Sequence, residues 1–181
     1  VTRLASRRAF NKAVAKIYSN AEMPVLCGVA IGEIDDYTRI QEQLGSTVAE
    51  RFLLQVAKVM DAVSGGGDLA CRFDGGRFGL LLYTSDREEV SRVVDLVRAK
   101  LKASALVGSN GGRSFGQLTM SFGICFSEQA PNAFDFTNFA DKALATSKAA
   151  GGDTVTVYGT SDIVSKDWLI YKKKPVGGFG A

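Results

Sequence analysis

The sequence predicts an α+β fold, an α/β sandwich in which a central, mostly antiparallel sheet carries packed helices in a ferredoxin-like βαββαβ order. Three observations predict it. Apolar strand-like runs alternate with amphipathic helical stretches along the chain. The stretch "CRFDGGRFGLLLY" places Asp74-Gly75-Gly76 between two apolar runs, the turn chemistry of a tight antiparallel hairpin. At 181 residues, 46% hydrophobic and 23% charged, the chain is long enough to bury one sizeable core.

The elements follow in order. Ser6 is a good cap for a first helix running to Ser19, with Phe10, Val14, Ile17 and Tyr18 on one side. "PVLCGVAIGEI", residues 24–34, reads as a buried strand. A helix in two pieces, "DYTRIQEQL" and "VAERFLLQVAKVMDAV", is separated by "GST"; Phe52, Val56, Val59, Met60 and Val63 give the second piece its core stripe. "GGGD" at 65–68 breaks that helix before the hairpin. Asp86 caps "REEVSRVVDLVRAKLKA", whose Val90, Val93, Val94, Val97 and Leu101 form another stripe. "GSNGG" at 108–112 reads as a turn, "RSFGQLTMSFGICFS" as one strand, "NAFDFTNFADKALATSKAAGG" as a helix ending in glycine, and "DTVTVYG" as a last strand. Residues 1–159 are expected to be the domain. Residues 160–181 change composition and read as a tail or linker whose "DWLIY" could pack on the domain or a partner.

Composition narrows the function classes. A net charge of +3 without a basic stripe interleaved with aromatics argues against nucleic acid. No apolar run is long enough to span a bilayer and "VTRLASRRAF" is not a signal peptide, so a soluble, cytoplasmic domain is expected, one that could be the cytoplasmic part of a membrane-anchored protein; the opening at Val1 suggests a fragment of something longer. Cys27, Cys71 and Cys125 each lie in an apolar run, the setting of buried free thiols in a reducing compartment. With no histidine, neither a Cys/His zinc site nor a Ser-His-Asp catalyst can be built.

Several stretches, in order, resemble the GGDEF domain family, the diguanylate cyclases that condense two GTP into cyclic di-GMP on a nucleotidyl-cyclase palm. "VTRLASRRAF" looks like the segment leading into N-R-R-A-F, and "GEIDDYTRIQEQLG" is similar to D-L-D-x-F-K-x-I-N-D-x-x-G. "CRFDGGRFGLLL" is similar to A-R-x-G-G-D-E-F-x-x-L-L, "LTMSFGICFS" to the strand ending S-x-G-I-A, and "FADKALATSKAAGGDTVTVY" to A-D-x-A-L-Y-x-A-K-x-x-G-R-N-x-V. The signature becomes Asp74-Gly75-Gly76-Arg77-Phe78. Its two acidic positions fall on Gly76 and Arg77.

The resemblance implies magnesium with GTP as the ligands, held by carboxylates on the first strand and at the signature turn. The strand positions are Glu33 and Asp35, two residues apart and so on one face. Gly76 has no ligand to offer, and Arg77 brings a fixed positive charge that cannot take a proton from a ribose hydroxyl. The guanine-reading positions fall on Gln41 and Glu50, with Tyr37 a further nucleotide-binding candidate. The phosphate-binding lysine matches Lys148, and the basic residue after it falls on Gly152. The product-binding R-x-x-D falls on "GGGD", leaving Asp68 opposite Gly65. From the residues alone, Glu33 and Asp35 also fit a solvated strand end, Gln41 and Glu50 a polar helix face, Lys148 a dipole-stabilised helix end, and Arg77 a salt bridge to Asp74 or Glu33.

The expectation is a catalytically inactive GGDEF-like module of a larger bacterial signalling protein. It would regulate a neighbouring domain or partner through GTP, cyclic di-GMP or protein contact, with homodimer formation implied by the family. One alternative is a divergent active cyclase holding magnesium through Glu33, Asp35 and main-chain carbonyls; another is a ligand-free docking or dimerisation domain.

Overall fold

The computed structural model describes residues 4–19, 25–107, 114–159 and 163–164. In chain order these form α1 (Arg7–Ile17), β1 (Gly28–Ile34), α2 (Tyr37–Leu44), α3 (Ser46–Val63), β2 (Leu69–Arg72), β3 (Arg77–Leu82) and α4 (Arg87–Ala103). There follow β4 (Ala105–Val107), β5 (Ser114–Gln117), β6 (Met120–Phe126), a short 3-10 turn (Ser127–Gln129), α5 (Ala133–Ala149), β7 (Val155–Val157) and β8 (Ile163–Val164). The main sheet runs β2-β3-β1-β6-β7-β8, antiparallel throughout except for the parallel β6-β7 pair. Its first four strands have the order of a ferredoxin-like core, as expected from the sequence.

Helices cover both faces of the sheet. That is why β6 is buried at every position and β1 at every position but Glu33. On one face α3 and α4 pack Phe52, Val56, Met60, Val90, Val94 and Val97 against Ala30, Leu80, Phe122 and Ile124. On the other, α1 and α5 pack Phe10, Val14, Phe136 and Leu144 against Val29, Ile31, Leu81 and Cys125. Helix α5 approaches β6 so closely that a Cβ on Gly123 would stand 2.1 Å from the Ala140 carbonyl oxygen, so only glycine fits there. The caps follow the side-chain chemistry: Ser6 accepts from the Ala9 N–H (3.2 Å), Asp86 from those of Glu88 and Glu89, and Asn132 from that of Asp135.

The structure corrects several boundaries. Helix α1 ends at Ile17, because the Tyr18 and Ser19 N–H groups already make tightened turns to Ala15 and Lys16. Strand β1 starts at Gly28, and residue 24 lies outside the described residues. Only Gly45, with φ 84°, interrupts the two-piece helix; Ser46 already belongs to α3. The single strand expected over 113–127 is two: β5 pairs with β4, which went unnoticed in the sequence, and the chain changes sheet at Leu118-Thr119 before β6. Leu118 is buried and the Thr119 carbonyl accepts from the Asp35 N–H, which fixes that crossover. Within the segment read as a tail, Ile163–Val164 pairs with β7; "GSNGG" and "DWLIY" lie outside the described residues.

Candidate functional site

The site forms at one end of the sheet, where β1 ends, the β2-β3 hairpin turns, and α5 returns to β7. Strand register sets its centre: Glu33 stands opposite Arg77 on β3 and Ser121 on β6, so three side chains of different strands share one spot. A cavity of about 550 Å³ opens here, walled by Glu33, Asp35, Asp36, Tyr37, Arg39 and Lys148 among others and floored by Gly151-Gly152. A second cavity of about 220 Å³ shares Tyr37 and adds Gln41, Ser46, Glu50, Leu53, Leu54 and Arg72. The three nucleotide-binding candidates on α2 and α3 therefore converge on one place, beside the space next to Lys148.

The signature turn keeps its hairpin. Gly75 takes φ 61°, the left-handed conformation that glycine adopts without strain, and the Phe73 N–H donates to the Arg77 carbonyl (2.9 Å). The Arg77 N–H donates to the Asp74 carbonyl (3.3 Å), Arg72 donates through Nη2 to the Gly75 carbonyl (3.4 Å), and Phe78 is wholly buried. Gly76 serves a different purpose from Gly75. A Cβ there would lie 2.7 Å from Cγ and 2.9 Å from Cβ of Tyr37, so the aromatic ring occupies the space a side chain at this position would need. The Gly76 carbonyl accepts from the Ile34 N–H (2.9 Å), tying the turn to the end of β1.

The charges at the centre are already paired. Lys148 Nζ donates to Glu33 Oε2 (3.0 Å), and Arg77 Nε stands 3.9 Å from the same oxygen. Arg77 also bonds through Nη2 to Asp141 on α5. Its partners are thus Asp141 and Glu33; of the two expected from sequence, Asp74 is replaced by a residue 64 positions away. Asp35 is likewise engaged: it accepts from Ser121 Oγ (2.6 Å) at one oxygen and from the Asp153 N–H (2.8 Å) at the other. Among the described residues no group of three or more His, Cys, Asp or Glu side chains could hold a metal ion. Magnesium, the ion the family resemblance implies, does not fit this donor set. One carboxylate is shared by two cations, another is tied to a hydroxyl and an amide, and glycine and arginine occupy the turn.

The walls are held from behind. Asp153 and Asp36 are the two described non-glycine residues with positive φ, 49° and 55°, and both adjoin this cavity. Asp153 bonds to Arg98 Nη1 (2.8 Å) and to Lys102 on α4, and Arg98 Nε bonds to Asp95 (2.7 Å). Burial opposes the charge on Arg98, but its hydrogen bonds to Asp95 and Asp153 outweigh that and hold its pKa above the ordinary value. Tyr37 accepts at its hydroxyl from Gln41 Nε2 (3.4 Å); burial pushes its phenol up, against the lowering influence of Arg72. Asp68 is a backbone clamp, accepting from the Gly65 N–H (3.0 Å) and the Tyr83 N–H (2.9 Å). Asp141, Ser121, Asp153 and Arg98 went unnoticed in the sequence. Glu33 was one of the two partners expected for Arg77, whereas the β1–β3 register that sets them opposite each other and the contacts to α5 and α4 depend on how distant elements dock.

Comparison with known proteins agrees with the fold. The family model "Diguanylate cyclase, GGDEF domain" matches residues 1–154. The chain is 26% identical over 164 residues to the cyclic di-GMP phosphodiesterase PdeB of Shewanella oneidensis, covering 90% of this chain and 18% of that protein. It is 26% identical over 159 residues to the probable diguanylate cyclase DgcT of Escherichia coli, covering 87% of this chain and 34% of that one. The chain therefore spans about a third or less of the length of these relatives. The crystal structure of the GGDEF domain of DgcB from Caulobacter crescentus, in complex with c-di-GMP, superposes with a TM-score of 0.81 at 23% identity, covering 88% of this chain and 91% of that one. The order of strands, the glycine turn after β2 and the match over residues 1–154 lead to one conclusion: the chain belongs to the GGDEF domain family of diguanylate cyclases.

Proposed function

We propose that this domain is a catalytically silent GGDEF module that binds a guanine nucleotide and reports its occupancy to a neighbouring domain or partner in cyclic di-GMP signalling. The observation that carries the reading is the pairing of Arg77 with Asp141 and Glu33 at the turn where the family places acids. Joining two GTP molecules requires that a 3′-hydroxyl lose its proton and that charge developing on the attacked phosphate be stabilised. Arginine stays protonated and cannot accept that proton, and Gly76 has no side chain to assist. Loss of such stabilisation lowers a rate by orders of magnitude.

Binding needs less. Gln41 offers an amide donor and acceptor and Glu50 a carboxylate acceptor, groups that match the donors and acceptors on the edge of guanine, while Lys148 stands beside the adjoining cavity for a phosphate. The longer relatives support a module that works within a larger protein, and the family's pairing of two domains supports a homodimer. The test is thermal unfolding with and without GTP, alongside a product assay. At a hundred times its dissociation constant GTP should stabilise the fold by ~2.7 kcal/mol, raising Tm by several degrees, and Gln41→Ala should abolish the shift. No cyclic di-GMP should form from GTP and magnesium; product formation would overturn the silent reading, and absence of any shift would overturn nucleotide binding.

A further inference from the structure

We propose that the groove at the mouth of the site is a docking surface for the chain's own segment 165–174, "SKDWLIYKKK", which follows β8. Two adjoining cavities form this groove and share Asp35, Asp36 and Arg39. The larger, of about 550 Å³, sets Glu33, Asp35, Asp36 and Glu42 against Arg39 and Lys148. Lys148 is already bonded to Glu33 (3.0 Å), so among the residues lining this cavity three carboxylates are left facing Arg39. The smaller, of about 340 Å³, is more apolar, with Ile40, Leu44 and Phe52 in its wall. An occupant that suits both halves is apolar at one end and strongly basic at the other.

Segment 165–174 has that composition, and the chain enters it beside the groove. Trp168, Leu169, Ile170 and Tyr171 are large apolar side chains in a row, followed directly by Lys172, Lys173 and Lys174. Ile163 pairs with Thr156 and Val164 with Val155, so β8 runs back toward the end of the sheet from which β7 departs. Strand β7 departs from Asp153, whose N–H holds the Asp35 carboxylate of the groove (2.8 Å). Two strand spacings, roughly 10 Å, separate β8 from β6, and Thr119 just before β6 lines the apolar cavity. The step from Val164 to Trp168 spans up to about 14 Å when extended, enough to carry the indole there, and the lysines beyond Tyr171 then reach the acidic half. Tethering this close makes docking intramolecular, so weak contacts suffice. The docked segment covers the space beside Lys148; where the nucleotide reading holds, segment and nucleotide compete for it.

Trp168 is the chain's one tryptophan, so its fluorescence in the full chain tests the contact. Docking sets the indole against Ile40, Leu44 and Phe52: emission should be blue-shifted, shielded from acrylamide and unchanged on dilution, and saturating GTP should shift it red. Replacing Lys172, Lys173 and Lys174 together by glutamate should shift emission red and raise quenching toward that of the unfolded chain. Adding Glu42→Lys should restore part of the shielding. Glu42 is exposed on α2, and urea unfolding of each variant verifies that it folds. A Trp168 as exposed before GTP is added as in the unfolded chain, or shielding indifferent to these substitutions, overturns the proposal. Shielding lost on dilution assigns the segment to a second copy and overturns it as well. Bound GTP that leaves Trp168 shielded overturns its placement beside Lys148, whereas a shielded Trp168 in a chain that binds no GTP supports docking and overturns only the nucleotide reading.

Discussion

Gly75 and Gly76 are adjacent and chemically identical, yet the structure uses them for unrelated reasons. Gly75 provides a left-handed backbone, whereas Gly76 provides an absence of volume beside Tyr37. Because the close atoms are Cβ and Cγ of Tyr37, at the base of a buried side chain, the ring cannot step aside by a simple rotation of its tip. Restoring the family's acid with Gly76→Asp should therefore destabilise the domain by about 1–3 kcal/mol, seen as a fall of several degrees in Tm. An unchanged Tm would mean that Tyr37 yields freely and that the turn has kept room for a side chain. The sequence displayed both glycines and the loss of the two acids. That an aromatic ring fills the vacated space is a contact between the hairpin and α2, and no local pattern encodes it.

At the scale of elements, the loop from α5 to β7 connects the site to α4. Asp153 takes two cations from α4 on its carboxylate while its N–H orients Asp35. Arg98 is buried and its guanidinium serves both Asp95 and Asp153, so Arg98→Ala leaves two carboxylates without their shared partner. The expected cost is about 3–5 kcal/mol, read as a lower urea midpoint, compared with about 1 kcal/mol for Lys102→Ala at the half-buried rim. Equal costs for the two would show that the network is not anchored through Arg98. The spacing of Asp95 and Arg98 at i,i+3 was visible on a predicted helix; their link to Asp153 spans 55 residues and arises only when α4 and the loop meet.

Across the whole molecule, the three cysteines report on the layer between the sheet and helices α1 and α5. Burial pushes Cys27 and Cys71 up to about 11 and Cys125 to about 12, partly opposed by Ser127, Arg7 and Arg87 respectively. A thiol whose folded pKa exceeds its unfolded value contributes stability fully below the unfolded pKa, near 9 here, and loses it as pH rises through the folded value. Urea midpoints should thus hold steady up to about pH 9 and fall between about 9 and 12. Cys71→Ala should fall less steeply. An equally steep fall in that variant would assign the alkaline loss to other groups, such as Tyr18, whose phenol burial also pushes up. The buried free thiols were foreseen from their apolar surroundings, and they are buried and unpaired as expected.

What the sequence determined by itself is local: the periodicity that separates strand from helix, the caps at Ser6 and Asp86, the hairpin turn, the family resemblance and the replacement of two acids by Gly76 and Arg77. These follow from side-chain pattern and turn chemistry within a few residues. Tertiary structure decided what the replacements do. Glu33 meets Lys148 across 115 residues and Arg77 meets Asp141 across 64, because α5 docks on the same face of the sheet that carries Glu33. Whether a surviving carboxylate is a ligand or half of an ion pair depends on which cations packing brings within a few ångströms, and chain order does not fix that distance.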